Sequence, residues 1–242
     1  MRNRRIALAA GALLAAGAAH AGSYSLTSTI ATDYDFRGIS QTDPLDQDGK
    51  VAFQLGGSYS FDGGIYFGMW GSNVDDSYTT PSLYFRDGHN LQVDYYGGYG
   101  WGKDARNAFA YDAGLDIRTY SGWSAFDTVE GYVAVSRSFY SAKLSFTPNV
   151  AHTGTSSLYA ELNASYPLGK AGVSLLGHVG QTLGGAYDAP YITSQHDRTD
   201  YSLGAGYVFH HLNFAVKYVD GTKDIHGRVI GSVSTTLPWS GD

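Results

Sequence analysis

Apolar and polar side chains alternate along nearly the whole chain from residue 22 onward, and this period of two limits the fold more than any other feature. In the first segment Leu26 and Ile30 share one face, whereas Ser25, Thr27 and Thr29 occupy the other. Twelve segments repeat the pattern, and in all of them the charged residues fall on the same side. The alternation predicts β-strands, each with one face that carries no charge.

The connections between these segments alternate between long and short, which favours a membrane barrel over a soluble β-sandwich. All six prolines lie in connections or at a strand end, where proline removes no ladder hydrogen bond. The sequence therefore predicts an all-β fold, a transmembrane antiparallel up-and-down β-barrel of about 12 strands. The longer connections are residues 37–50, 74–89, 120–126, 147–156, 184–199 and 219–228, and the shorter ones are 62–64, 102–107, 137–138, 167–171 and 210–211.

Aromatic residues gather toward the ends of the segments, as they do in the girdles of outer-membrane barrels. A lipid-facing Lys or Arg near the bilayer midplane would cost about 2–4 kcal/mol, and the charge-free face avoids that cost. The aromatic set, which is expected to face lipid at the interfaces, is Tyr34, Phe36, Tyr59, Phe61, Tyr99, Trp101, Phe109, Tyr166, Tyr201, Phe209 and Tyr218.

The N-terminus has the features of an export signal. Arg2, Arg4 and Arg5 precede the apolar residues 6–19, and Ala21 ends an A-x-A cleavage motif. The sequence predicts a signal peptide over residues 1–21, cleaved between Ala21 and Gly22, and a barrel domain over residues 22–242. Removal of the signal peptide changes the formal net charge from −6 to −9. The mature chain is expected in the periplasm and then in the outer membrane of a Gram-negative bacterium, and an even strand number leaves both termini on the periplasmic side.

The charge balance and the residue types exclude several classes of function. A net charge of −6 argues against a nucleic-acid binder, which normally carries a basic patch. The chain has no cysteine and therefore no disulfide framework or thiolate metal site. The histidines show no HxxxH or HExxH spacing, so neither a metal site nor a cofactor is predicted.

Three stretches in the first half of the chain carry a resemblance to a known family. Residues 32–43 (TDYDFRGISQTD), 64–75 (GIYFGMWGSNVD) and 91–99 (LQVDYYGGY) are similar to signature stretches of the TorF-like porin family, also called Gcw_chp. Beyond residue 99 only the strand rhythm and the overall length agree. The resemblance implies a bacterial outer-membrane β-barrel of porin type, with no established substrate or catalytic residues. Such barrels tend to end on an aromatic residue, whereas this chain ends Trp239-Ser240-Gly241-Asp242. The sequence therefore does not determine which residues form the closing strand.

If the charge-free face meets lipid, the opposite face lines the lumen, and its charged residues are the pore-lining candidates. Thirteen charges cannot lie in a dry core without large desolvation penalties, so the lumen is expected to be hydrated, ion-paired or both. The excess of acids motivates a hypothesis of cation preference. The acids are Asp33, Asp35, Asp94, Asp112, Asp116, Glu130, Glu161 and Asp200, and the bases are Arg37, Arg118, Lys143, Lys217 and Arg228.

Arg37 has two interpretations. At the outer end of the first segment, just before Gly38, it could project into the pore mouth and attract anions. The other interpretation, which we favour, is a structural ion pair with Asp33, Asp35 or Asp94, because a partly buried charge is usually paired.

Three functions follow from these patterns, in decreasing order of support. The first is a non-enzymatic channel for passive diffusion of ions or small hydrophilic solutes, with outer-membrane lipids and the barrel-insertion machinery as partners, and either monomeric or trimeric. The second is a plugged barrel with a structural or surface-recognition role, suggested by its sizeable outer connections. The third is a lipid hydrolase built on His152 and a neighbouring serine such as Ser156, which would require a base within reach of the nucleophile.

Overall fold

The computed structural model describes residues 22–44, 47–75, 90–102, 108–121, 124–184, 197–223 and 225–239. The predicted leader, residues 1–21, lies outside the described residues. Among these residues, two short 3-10 helices occur, at Ser124–Phe126 and Val150–His152. The strands are β1 (Ser23–Ala31), β2 (Asp35–Phe36), β3 (Ile39–Ser40), β4 (Ala52–Ser60), β5 (Ile65–Val74), β6 (Asn90–Gly102), β7 (Ala110–Tyr120), β8 (Thr128–Arg137), β9 (Tyr140–Thr147), β10 (Ser157–Pro167), β11 (Val173–Leu183), β12 (Arg198–Phe209), β13 (Leu212–Gly221) and β14 (Arg228–Leu237).

Within the described residues, twelve of these strands form one closed antiparallel barrel in the order β1-β14-β13-β12-β11-β10-β9-β8-β7-β6-β5-β4. Each strand pairs with its neighbours in sequence, and β1 closes the ring on β14 with Leu26 opposite Leu237 and Ile30 opposite Val233. The predicted up-and-down barrel of about 12 strands is therefore confirmed. Closure needs nothing beyond Leu237, so the missing terminal aromatic does not prevent it.

The outer surface of the barrel is apolar. Leu203 is 63% exposed, Val229 65% and Phe53 62%, and each alternates with inward neighbours that are less exposed. An apolar outer face of this kind is what a wall in contact with lipid requires. No helix among the described residues is both long and apolar enough to cross a bilayer.

The two ends of the barrel differ in their connections. One end, which we call the turn end, carries the short connections, such as residues 138–139 and 210–211. The other, the loop end, carries the longer ones, such as residues 32–51 and 148–156. At the turn end Tyr99, Trp101 and Tyr111 stack in a row, with ring centroids 5.8 and 5.6 Å apart. Such an aromatic row matches the interfacial girdle expected from the sequence.

Inside the barrel, tyrosine rings lie directly over glycines of neighbouring strands. A Cβ placed on Gly98 would lie 2.9 Å from Cζ of Tyr66, one on Gly114 would lie 2.8 Å from Cζ of Tyr132, and one on Gly180 would lie 2.6 Å from Cζ of Tyr159. Real Cβ atoms do not approach other atoms this closely, so these positions require glycine. These three glycines therefore make room for inner tyrosines.

The first segment departs from the sequence prediction. Alternation indicated a strand that continued to Phe36, but β1 ends at Ala31 and the chain then turns into the lumen. There β2 and β3 form a small hairpin, with Asp35 paired to Ser40 and Phe36 to Ile39. Its turn places Arg37 at φ 52° and Gly38 at φ 84°, a tight turn with two positive φ values that suits glycine.

The inward turn also corrects the placement of two aromatics. Tyr34 and Phe36 were expected in the lipid-facing girdle, but Tyr34 is buried and packs edge-on against Trp70 with ring centroids 5.2 Å apart. Together with Ala31, Ala52 and Val74, Tyr34 forms a small apolar cluster at the loop end. The segment keeps its period-two pattern because it is itself a strand pair. This pair lies in the lumen and is not part of the barrel wall.

Candidate functional site

The segment formed by residues 33–43, which we call the inner hairpin, crosses the lumen near the loop end. It enters from β1, and its tip reaches β8 and β10 on the far side of the barrel. Charged side chains from the wall surround it on both sides. Because the sequence places most of its charged inner residues at this level, the hairpin and its contacts form the candidate site.

Arg228 on β14 holds the inner hairpin at its base and at its turn. Its Nε donates to Asp33 Oδ2 at 2.6 Å, its Nη2 to Asp35 Oδ1 at 2.7 Å and its Nη1 to the Gly38 carbonyl at 2.8 Å. Lys217 Nζ lies 3.5 Å from the second oxygen of Asp35. We call this group of contacts the anchor. It uses the fork geometry of the guanidinium on three acceptors at once, so it fixes both position and orientation.

The second oxygen of Asp33 joins the two sides of the hairpin. Asp33 Oδ1 accepts hydrogen bonds from Ser40 Oγ at 2.6 Å and from Thr42 Oγ1 at 2.7 Å. Gln41 N also donates to the Tyr34 carbonyl at 2.7 Å. A buried carboxylate is tolerated here because both of its oxygens are hydrogen-bonded and one faces a cation.

Arg37 lies at the tip of the hairpin. Its Nη2 is 2.5 Å from Glu130 Oε2 on β8, and its guanidinium lies over the Tyr159 ring, 4.3 Å from the centroid. We call the Arg37–Glu130 pair the tip contact. The preferred interpretation, an ion pair, agrees with this arrangement, but the partners named from the sequence were wrong. Asp33, Asp35 and Asp94 lie on the near side of the lumen or serve other cations, whereas the turn directs Arg37 across it.

Arg118 on β7 flanks the hairpin on one side. Its guanidinium lies over the Phe36 ring, 4.3 Å from the centroid, and is within 3.6 Å of Asp94 and 3.7 Å of Asp116. Gln92, which is almost fully buried, donates through Nε2 to the Tyr34 hydroxyl at 3.1 Å and to Asp94 Oδ1 at 2.9 Å. These contacts fill the space between the hairpin and the wall at β6 and β7.

A second cluster lies on the opposite wall. The Tyr159 hydroxyl donates to Asp200 and lies 2.9 Å from each of its carboxylate oxygens. His178 Nε2 lies 3.2 Å from the Tyr159 hydroxyl and 3.2 Å from Asp200 Oδ2. His178 Nδ1 is 2.7 Å from Asn163 Oδ1, and Asn163 Nδ2 donates to Glu161 at 3.0 Å. The cluster reaches the tip of the hairpin through the Tyr159 ring. Charge counting alone missed Tyr159, His178 and Asn163, because it considered only Asp, Glu, Lys and Arg.

Two candidate charges lie farther from the hairpin. Asp112 accepts a hydrogen bond from the Tyr66 hydroxyl at 2.6 Å, and the Tyr66 and Tyr132 hydroxyls contact each other. Lys143 lies over the Tyr132 ring, 4.4 Å from the centroid. Within the part of the chain that the structure describes, neither Asp112 nor Lys143 belongs to an ion pair.

The structure places all thirteen predicted residues inside the barrel, and none of them is exposed. Nine take part in ion pairs within 4 Å around the hairpin, and Glu161 and Asp200 face His178 instead. The nine are Asp33, Asp35, Arg37, Asp94, Asp116, Arg118, Glu130, Lys217 and Arg228. Charge is therefore closely balanced at the hairpin, and the acid excess lies mainly on the wall of β10 to β12.

A cavity of about 490 Å³ lies along the wall from β8 to β12, toward the turn end. Most of its lining residues belong to the outward-facing rows of their strands, such as Leu162, Gly177 and Val179, and the remainder are the inner-face residues Ser136, Ser141, Asn163, His178 and Ser202. At the turn end of this cavity, the Arg137 guanidinium lies 4.9 Å from the centroid of Phe109. The hairpin thus occupies the lumen near the loop end, whereas this cavity belongs mainly to the outer face of the wall.

Where the segment returns to the wall, Lys50 makes an outer ion pair. Its Nζ is 3.1 Å from Asp43 and 3.2 Å from Asp75, and its side chain is 56% exposed. Hydrogen bonds to these two carboxylates raise the pKa of Lys50 above its ordinary value. This pair lies at the loop end, outside the spanning strands.

A family model described as "Bacterial protein of unknown function (Gcw_chp)" matches residues 15–235. The chain belongs to this family. The match spans nearly the whole barrel, so it includes the second half of the chain, where the sequence showed only strand rhythm. No curated protein matches the chain by sequence.

Among solved structures, this Gcw_chp protein is similar to the KdgM porin. The structure "KdgM porin in complex with disordered oligogalacturonate" matches with a TM-score of 0.52 and 9% identity, covering 90% of this chain and 99% of that one. A second KdgM porin structure gives a TM-score of 0.51 with the same identity and coverage. LpxR from Salmonella typhimurium, with a TM-score of 0.41, 11% identity and coverage of 88% and 99%, is too distant to carry an argument. The KdgM likeness shows a shared fold.

Proposed function

We propose that this protein is an outer-membrane channel for passive diffusion of ions or small hydrophilic solutes. The observation that carries the proposal is a closed barrel with an apolar outside and the thirteen predicted charged residues inside. A barrel stabilised only by its interior would be expected to fill it with apolar side chains. Keeping charges there is favourable only where water or other charges compensate for their lost hydration. The pore-lining role of the thirteen residues is part of this proposal.

The charge of the lumen supports small cations and neutral solutes rather than polyanions. Glu161 and Asp200 add negative charge to the inner wall, and His178 is the ionisable group between them. The KdgM porin has been solved with oligogalacturonate, a polyanion. An acid-rich inner wall would repel such a polyanion. We therefore do not propose oligogalacturonate as a solute of this protein, although the fold is shared.

We place the mature protein in the outer membrane of a Gram-negative bacterium, in contact with lipids over its apolar band and inserted by the barrel-insertion machinery. Export would remove residues 1–21, so the intact mass of the protein recovered from outer membranes should correspond to a chain that begins at Gly22. Recovery in the soluble periplasm would reject the membrane assignment.

Reconstitution in planar bilayers tests the channel directly. Purified protein should produce discrete conductance steps in KCl, whereas vesicles prepared without protein should produce none. Protein that folds, as judged by its β-sheet circular dichroism, but never raises conductance above background would reject the proposal.

The second candidate is a plugged barrel with a structural or surface-recognition role. The inner hairpin favours it, because the anchor and the tip contact tie the hairpin to both sides of the lumen. Conductance steps from the wild-type protein would argue against a permanent plug. Absence of steps under all salt and voltage conditions would favour it over the channel.

A lipid hydrolase finds no support at the residues named for it. His152 is exposed in a short 3-10 turn, and among the described residues no hydrogen bond joins it to Ser156. A nucleophile needs a base within hydrogen-bond reach and a third group to orient that base. We therefore propose a non-enzymatic function.

A further inference from the structure

We propose that the inner hairpin is a displaceable gate, held closed at its tip by the Arg37–Glu130 contact. The inference rests on the proposed channel function and specifies how that channel is regulated. Three features support it: the position of the hairpin in the lumen, the contacts at the two ends of the hairpin, and the hydrogen bonds within the hairpin.

The hairpin obstructs the lumen at the level where it crosses. It contacts β5 through Tyr34 and Trp70, β7 through Phe36 and Arg118, β8 through the tip contact and β14 through the anchor. At Gly38 it lies so close to β12 that an added Cβ would be 2.8 Å from Cβ of Asp200. Contacts on so many strands leave little room for a solute. Passage through this level therefore requires the hairpin to move.

The two ends of the hairpin are held by unequal contacts. At the base, Arg228 makes two hydrogen bonds to carboxylates of the hairpin, and the side chains of Arg228 and Asp33 are 5% and 2% exposed. Its third hydrogen bond goes to the Gly38 carbonyl in the turn. At the tip, Arg37 makes one ion pair, to Glu130, and the two side chains are 16% and 4% exposed. Dissolved ions reach the partly exposed cation at the tip more readily than the buried Arg228–Asp33 pair, so they weaken the tip contact more. The tip should thus release first while the base stays fixed.

The hairpin is able to move as one piece. The pairs Asp35–Ser40 and Phe36–Ile39 and the hydrogen bonds from Ser40 and Thr42 to Asp33 all lie within the hairpin itself. Releasing the tip contact breaks none of them. Withdrawal of the tip would also leave Glu130 with Thr147, whose Oγ1 donates to it at 3.2 Å.

A reversible cross-link tests the gate, and the absence of natural cysteines makes it clean. The double variant Gly38→Cys/Asp200→Cys places two thiols at positions whose Cβ atoms nearly touch, and a small shift brings them into disulfide range. We expect the oxidised protein to show no conductance steps, and reduction by dithiothreitol to restore them in the same membrane. Each single-cysteine variant should respond to neither oxidant nor reductant.

Weakening the tip contact provides a second test that does not depend on a strained position. Glu130→Gln and Arg37→Gln should each raise the fraction of time that the channel is open, by about tenfold, because truncating a charged hydrogen-bonded pair typically costs at least that factor. Asp62→Asn, which removes a charge from the turn at residues 61–64, serves as the control and should leave the open fraction unchanged.

The outcomes separate the gate from the channel. Conductance that is abolished by oxidation and raised by the tip variants supports the gate. Conductance steps that persist unchanged in the oxidised double variant and in both tip variants overturn the gate while leaving the channel intact. Folded protein that gives no conductance in any form, including Glu130→Gln, overturns the channel and the gate together.

Discussion

Arg228 donates to Asp33 at 2.6 Å although 195 positions separate the two residues in the chain. The contact joins the last strand of the barrel to the segment that follows the first. Both side chains are almost completely buried, and their pairing leaves neither charge uncompensated. The closing strand of the barrel thus ties the inner hairpin to the wall, although the two are distant in sequence.

Arg228→Gln should destabilise the protein strongly. Removing the guanidinium leaves Asp33 and Asp35 without their closest cation, and breaking a buried pair typically costs about 3–5 kcal/mol. Urea unfolding of the protein in detergent micelles measures the loss. Lys50→Gln is the matched control, since the Lys50 side chain is 56% exposed and its ion pairs should be worth about 1 kcal/mol or less. Equal losses in the two variants would contradict the role given to the anchor.

Gly180→Ala should also destabilise, by about 1–3 kcal/mol, because the new methyl group would overlap the Tyr159 ring. Gly177→Ala on the same strand is the control, since no atom lies within 4 Å of its added Cβ. That variant should be neutral or more stable by up to about 1 kcal/mol, because glycine weakens a strand relative to alanine. Thermal unfolding compares the two. Similar values for both would show that the ring and glycine packing is not required.

Leu203→Arg probes the outer face. Leu203 lies in the middle of β12 and is 63% exposed, so a charge there would meet hydrocarbon and cost about 2–4 kcal/mol. Leu212→Arg, at the first residue of β13 next to the turn, should cost only about 0–1 kcal/mol, as expected near an interface. Unfolding in lipid vesicles measures both free energies. A larger cost at Leu212 than at Leu203 would contradict the assumption that the bilayer midplane lies at the level of Leu203.

Asp112 and Lys143 offer a test of ion selectivity beyond the hairpin. Both are paired in register to Ala134, so they face the lumen at neighbouring positions. Asp112→Asn should lower the cation-to-anion permeability ratio and Lys143→Gln should raise it. Each change should reach at most about fivefold, since a unit charge at contact distance in water is worth about 1 kcal/mol. Reversal potentials across a KCl gradient give the ratio, and an anion-selective wild-type channel would reject the cation preference.

Alternation alone was enough to predict the wall of the barrel. It identified twelve strands and the inner position of residues such as Asp116 and Lys217, because each strand contacts only its neighbours in sequence and has two chemically different sides. The family match over residues 15–235 then extended a resemblance that the sequence carried only up to residue 99.

The inner hairpin was beyond this reasoning. Residues 33–36 keep the same period of two inside the lumen as a wall strand would, so periodicity cannot tell the two apart. The one local signal in the sequence was the glycine of the dipeptide Arg37-Gly38, because glycine suits the positive φ values of the two-residue turn found there. The ion-pair partners were unpredictable for another reason. Glu130 and Arg228 reach the hairpin from strands that are distant in sequence and adjacent only after the barrel closes.

The seam between β1 and β14, where Leu26 faces Leu237, also constrains assembly, because closure needs both ends of the chain. The first strand made by the ribosome finds one of its two partners only in the last, so its edge stays unpaired until the whole chain has been delivered to the membrane. Contacts between such distant residues are slow to form, and an unpaired edge invites aggregation in the meantime. Arg228 arrives with that final strand. The hairpin therefore gains its anchor in the same late step that completes the ring, so a barrel truncated before residue 228 would lack both.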